Sequence, residues 1–172
     1  VRHSSYLLFM LLLVVLTQIV ITLIDFEFKT SIKYHFPLTD ARTAVIGQVY
    51  AIIAFATFFL HGLTGPILYR FAIPATLLAM PILLLTGAAS LVLVPSLAAI
   101  VLVKIASKSF DYTIFRSSKE ILYIPLTYEE KTAGKSIVDM WTYRLAKGGA
   151  SLLLLGLIWL QLVKFVPILI LF

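Results

Sequence analysis

Residues 6–24 read Y-L-L-F-M-L-L-L-V-V-L-T-Q-I-V-I-T-L-I, nineteen residues with no charge among them. About 20 predominantly apolar residues cross the ~30 Å hydrocarbon core of a bilayer as a helix. The run therefore predicts a transmembrane helix and makes lipid the solvent for the fold. A signal peptide is the competing reading, since Arg2 and His3 precede the run. Against it, the run is long, and Asp25-Phe26-Glu27-Phe28-Lys29 follows where a small-x-small cleavage site would stand.

The composition extends that reading to the whole chain. Of 172 residues, 61% are hydrophobic and 13% charged, with a mean hydropathy of +1.04. Soluble domains are roughly 45–50% apolar and about 25% charged. A chain this short leaves roughly a third of its unfolded surface exposed, so so many apolar residues cannot all be hidden from water. Four further spans are expected at 45–63, 73–94, 97–115 and 136–162, with a partial sixth at 165–172 and a connection at 116–135. Gly47, Ala51, Ala54, Ala56 and Gly62 give the second span a small-residue face for helix contact. The chain starts on Val1 and stops inside an apolar run, so it is expected to be a piece of a longer protein. The predicted fold is all-α, a polytopic transmembrane bundle of about six helices.

Lysine and arginine set the orientation. With the start inside, Arg2, Arg70, Arg116, Lys119, Lys131 and Lys135 are cytoplasmic, while Lys29, Lys33, Arg42 and Lys164 lie outside. This follows the excess of positive charge on cytoplasmic loops and puts 116–135 in the cytoplasm. The same bias explains the net charge of +6, so nucleic acid is not an expected partner.

The polar residues that interrupt the spans carry whatever chemistry the chain has. Lys104, Lys108 and Asp111 follow one another at spacings of four and three, on one helical face. Ionisable groups at membrane depth usually face a cavity or a partner, although residues near a helix end can also snorkel to water. Asp139, Tyr143, Arg144 and Lys147 open the fifth span with a basic edge, for which ion pairing with Asp111 or Glu120 is the alternative to ligand contact. Thr17 and Gln18 suit interhelical hydrogen bonding or a pore lining, and His61 suits a hydrogen-bonded histidine, with no second metal ligand at helical spacing. Gly148-Gly149 follows a lysine without the spacing of a phosphate loop, and close helix packing explains it better. The chain has no cysteine and no pattern for nucleophilic, metal or nucleotide-cleaving chemistry. No enzyme activity, metal or cofactor is expected.

The densest polar signal is K-S-F-D-Y-T-I-F-R-S-S-K-E-I-L-Y-I-P-L at 108–126, followed by E-E-K-T-A-G-K-S-I-V-D at 129–139 and R-L-A-K-G-G at 144–149. These blocks resemble the ATP/ADP translocase family of nucleotide transporters. The match runs through Lys108, Ser109, Tyr112, Phe115, Lys119 and Glu120, then Tyr123 to Leu126. It continues at Lys131, Gly134, Lys135, Asp139, Leu145, Lys147 and Gly149. Ile24 to Lys29 resembles the end of that family's seventh helix, and 62–70 weakly resembles a glycine-and-arginine loop between the second and third helices of each half. Asp111 stands where many members have a lysine, Arg116-Ser117 where an acidic residue and proline are common, and Ala146 where glycine is usual.

The resemblance implies the C-terminal half of a transporter similar to the major facilitator fold, exchanging ATP, ADP or a related organic anion across a bacterial-type inner membrane. The N-terminal half of the same protein, or other subunits of a complex, would complete it. It further implies that Lys104, Lys108, Lys119, Arg144 and Lys147 supply positive charge to phosphates. Asp25, Asp111, Glu120 and Asp139 would pair with those cations between states. Lys108 and Lys147 are then expected to converge on a cavity between the fourth and fifth helices. The alternative is a non-transporting membrane anchor or scaffold that keeps the fold within a larger complex.

Overall fold

The computed structural model describes residues 2–124, 128, 131–132, 137–162 and 166, and those in regular structure are helical throughout. Helix α1 spans Arg2–His35, α2 Thr39–Arg70, α3 Ile73–Leu93 and α4 Leu97–Phe110. A π-helical segment, Asp111–Phe115, leads without a break into α5, Arg116–Leu122. After a second π-helical segment, Ile137–Thr142, α6 occupies Tyr143–Trp159. Helix is the form such a chain must take, because a spanning segment has to satisfy its backbone hydrogen bonds internally.

Proline and serine place the breaks. Pro37 follows the end of α1, and Pro74 sits in the first turn of α3, where a missing N–H costs nothing. Pro95 and Ser96 form the tight connection between α3 and α4, and the Ser96 side chain caps α4 by accepting from the Ala99 N–H at 3.1 Å. Helix α6 ends at Trp159 with Leu160 as its C-cap, and Gln161 beyond it has a φ of 58° that the helix could not continue through.

Among the described residues, three helices are long and apolar enough to cross a membrane: Leu8–His35, Thr39–Arg70 and Ile73–Leu93. The second outruns the expected 45–63 at both ends, and residues 62–70 are helical instead of forming a loop. Pro66 is accommodated inside this helix, and the chain turns only at Phe71-Ala72. Just before Pro66, the Thr64 hydroxyl donates to the Leu60 carbonyl at 2.7 Å. The first seven residues of the expected connection at 116–135 are likewise helical, as α5. The expected partial span at 165–172 lies outside the described residues apart from Val166, which is buried.

Helix α4 is central, with α1, α2 and α3 all packing on it, while α6 packs on α1. The position suits its content: α4 carries Lys104 and Lys108, and charges at membrane depth are least costly when other helices cover them. Ile24, Phe28 and Ile32 of α1, Met80, Leu84 and Ala88 of α3, and Ile100 and Val103 of α4 form the core. Gly87 marks the closest approach of α3 to α4, since a Cβ there would stand 2.9 Å from Val103 Cγ1.

The small-residue contacts differ from the expected ones. Gly47, Ala51, Ala54 and Gly62 face outward, and added Cβ atoms at Gly47 and Gly62 would meet nothing within 4 Å. Gly148 and Gly149 are also exposed and uncontacted. Helix α6 instead turns Ala146, Ala150 and Leu154 inward, at the spacing of four that keeps one face toward α1. A single methyl at Ala146 and Ala150 is small enough for close helix contact.

Candidate functional site

Two polar layers lie side by side where α1 meets α4 and its π-helical continuation. In the first, Asp25 of α1 forms an ion pair with Lys104 and stands 3.8 Å from the Lys108 ammonium. Lys104 is fully buried and Lys108 nearly so. Lys104 also lies over the rings of Phe28 and Tyr50, each 5.5 Å from its ammonium, so aromatic faces supply the rest of its electrostatic shelter.

The second layer begins one turn later. The Gln18 amide donates to Asp111 at 3.3 Å, joining α1 to the start of the π-helical segment. Asp111, Thr113, Ile114 and Phe115 are all buried. The wider π turn directs four of five side chains inward, which an α-helical stripe does not do. Thr113 donates to the Ser109 carbonyl at 2.6 Å and so satisfies an acceptor where the hydrogen-bond ladder changes register.

These groups open onto a cavity of about 230 Å³ lined by Gln18, Asp111, Tyr112, Phe115, Arg116, Lys119, Glu120 and Tyr143, with Val14 at its edge. Two tyrosines of its wall are each backed by a lysine. The Lys108 ammonium lies 5.4 Å from the Tyr112 ring and that of Lys147 lies 4.3 Å from the Tyr143 ring. The charges of Lys108, Lys119 and Lys147 all act on Asp111, and those of Lys108 and Lys147 act on Lys104. Tyr123, fully buried beside Met10 and Val14, packs against α1 on the same side.

The geometry gathers Asp25, Lys104, Lys108, Asp111, Lys119, Glu120 and Lys147 into one region. Arg144 is exposed on α6 and lines no part of the cavity. The side chain of Asp139 lies outside the described residues. Helix α6 packs on α1, and Lys108 and Lys147 stand behind two tyrosines of the cavity wall. They reach the cavity through the tyrosines that they cap. His61 is exposed and bonded at 3.0 Å to the Thr57 carbonyl. Gln18 is both an interhelical hydrogen bonder and a cavity lining, the two alternatives open for it in the sequence. Tyr112, Phe115 and Tyr143 were named in the sequence only as part of the family match or of the basic edge, without a role at a cavity; Tyr112 follows Asp111 directly, and Tyr143 stands four residues before Lys147.

No group of His, Cys, Asp and Glu among the described residues is arranged to hold a metal ion. The chemistry available is charge recognition: buried ammonium groups sheltered by carboxylates and tyrosine rings, beside a polar cavity with an aromatic wall.

Comparison with known proteins bears on that chemistry. The sequence profile of a family described as "TLC ATP/ADP transporter" matches residues 1–170. The chain is 31% identical over 177 residues to ADP,ATP carrier protein 1 of Chlamydia trachomatis, covering 91% of this chain and 34% of that protein. It is 31% identical over 170 residues to the chloroplastic ADP,ATP carrier protein 2 of Arabidopsis thaliana, covering 87% of this chain and 28% of that protein. Over 49 residues, 28% of this chain and 10% of the relative, it is 43% identical to ADP,ATP carrier protein 4 of Rickettsia prowazekii. The chain thus spans about a third of the length of the curated relatives that it matches over most of its own. No solved structure matches it.

Proposed function

The chain belongs to the TLC ATP/ADP transporter family, and from that premise we propose that it forms the C-terminal half of a carrier exchanging ATP for ADP across a membrane. In this reading it contributes about six helices to a bundle like that of the major facilitator transporters. A preceding half closes the translocation path, since a single half is not a complete alternating-access device. The membrane is of the bacterial inner type, with the connection at 116–135 in the cytoplasm.

The observation that carries the proposal is the charge count between α1 and α4. Asp25 faces two buried lysines at once, and the half-buried Lys119 and Lys147 add positive charge beside Asp111. Two ammonium groups that share one carboxylate leave positive charge for an anion to compensate, because an uncompensated charge out of water is costly. Nucleotide phosphates supply that anion, and lysine serves them as a compact point charge. Lys104, Lys108, Lys119 and Lys147 are assigned to the phosphates, with Arg144 outside the immediate cavity. Asp25, Asp111, Glu120 and Asp139 hold those cations when the substrate is absent. The carboxylates then act as exchangeable partners: a phosphate draws a lysine away from Asp25, and the ion pair re-forms when the phosphate leaves.

The test is counterflow by the full-length protein reconstituted in liposomes. Uptake of labelled ATP should depend on ADP or ATP loaded inside, and lysine-to-glutamine changes at 104 or 108 should remove it. Wild-type protein that neither binds nor exchanges these nucleotides would leave the membrane-scaffold reading in its place.

A further inference from the structure

The Gln18–Asp111 contact leaves one polar atom without a function in the fold. An ionised carboxylate only accepts hydrogen bonds, so the amide must present its nitrogen to Asp111 and its oxygen elsewhere. That oxygen, Gln18 Oε1, is buried and has no hydrogen-bond partner among the described residues. Buried side-chain acceptors are satisfied in the large majority of cases, and an orphan calls for an explanation. Gln18 itself is 2% exposed and lines the cavity together with Asp111. The pair therefore offers acceptors at the cavity wall: the amide oxygen, and the carboxylate oxygen that Gln18 does not engage.

Size and sign narrow what such acceptors take. The cavity holds about 230 Å³, below the roughly 300–1,000 Å³ of a site that encloses a drug-sized ligand. It suits part of a molecule. A metal cation would enter against the field of Lys108, Lys119 and Lys147, all of which act on Asp111. A neutral donor carried by an anion meets no such opposition. Tyr112 and Tyr143 add flat aromatic faces to the same wall.

We infer that Gln18 and Asp111 form a hydrogen-bond acceptor site for the nucleoside part of the transported nucleotide, taking a neutral N–H or O–H donor while the lysines take the phosphates. The inference rests on the nucleotide-exchange reading above and deepens it. Two groups supply the required donor: the exocyclic amine of adenine and a ribose hydroxyl.

The experiment measures equilibrium binding to the full-length protein in nanodiscs, with four probes: ATP, purine ribonucleoside triphosphate (which lacks the 6-amino group), 2′-deoxy-ATP and 3′-deoxy-ATP. With wild-type protein, one analogue should bind about three- to tenfold more weakly than ATP, the value of one neutral hydrogen bond, and that analogue names the donor. Gln18→Met, similar in length but without the acceptor, should weaken ATP by the same factor and leave that analogue unchanged. Gln18→Leu serves if the methionine variant does not fold. Four equal affinities in the wild type would overturn the inference, as would a Gln18 variant that weakens all four probes alike or none of them. Absence of any ATP or ADP binding by wild-type protein is a different result, and it removes the exchange reading itself.

Discussion

Asp25 and Lys104 join α1 to α4 by an ion pair in the interior of the bundle, with the lysine wholly enclosed. Lys108 stands 3.8 Å from the other oxygen of the same carboxylate, so one anion serves two cations. Such a pair adds little to stability compared with an apolar replacement, because both charges had to leave water. Its value is specificity and exchangeability: it fixes which helices meet, and a stronger anion can compete for it.

Replacing Asp25 should therefore cost far more than replacing the pair. Asp25→Asn leaves Lys104 and Lys108 buried without the carboxylate, which is expected to destabilise the protein by about 3–5 kcal/mol. Asp25→Asn combined with Lys104→Met should recover a large part of the loss, since the stranded ammonium is gone. Thermal unfolding of the full-length protein in detergent measures both. A single variant as stable as wild type would show that the two lysines draw their compensation from elsewhere.

Gly87 should resist enlargement. A methyl there would stand 2.9 Å from Val103 Cγ1, and valine, branched at Cβ, has little freedom to turn away. Gly87→Ala is expected to cost about 1–3 kcal/mol through overpacking, and Gly87→Ala with Val103→Ala should restore most of it. Unfolding temperatures of the two variants that are equal to each other and below wild type would show that the cost does not come from the contact with Val103.

Orientation is open to direct labelling, because the chain has no cysteine of its own. Lys131 is exposed and belongs to the connection that carries four of the lysines and arginines, Arg116, Lys119, Lys131 and Lys135. Lys131→Cys should react with an impermeant thiol reagent only after the cytoplasmic face is opened. Labelling of intact cells from outside would invert the topology.

How far the sequence disclosed the site depended on whether a residue's meaning was local. The all-helical, apolar character of the chain and the polar spacing of Lys104, Lys108 and Asp111 were legible, because hydropathy and helical periodicity act along the chain. Asp25 came into view only through the resemblance of Ile24 to Lys29 to a helix end of the family. The π-helical segment at Asp111–Phe115 was not legible, since nothing in D-Y-T-I-F distinguishes the i→i+5 ladder from the usual one before packing decides. The packing face of α6 was misassigned to Gly148-Gly149 because small residues stood on two faces, and only contact with α1 selects Ala146 and Ala150. Likewise the helical path through Gly65-Pro66 contradicts the usual breaker signal, as lipid removes the water that would otherwise stabilise a break.

That lysines beside the cavity carry the phosphates is tested most directly by ATP binding to Lys108→Gln and Lys147→Gln in the full-length protein. Each change removes a charge-assisted contact of about 1.5–3 kcal/mol and should weaken ATP about ten- to a hundredfold, with Lys108→Arg restoring only part, because a planar fork does not replace a compact ammonium. Wild-type affinity for ATP in both glutamine variants would contradict it.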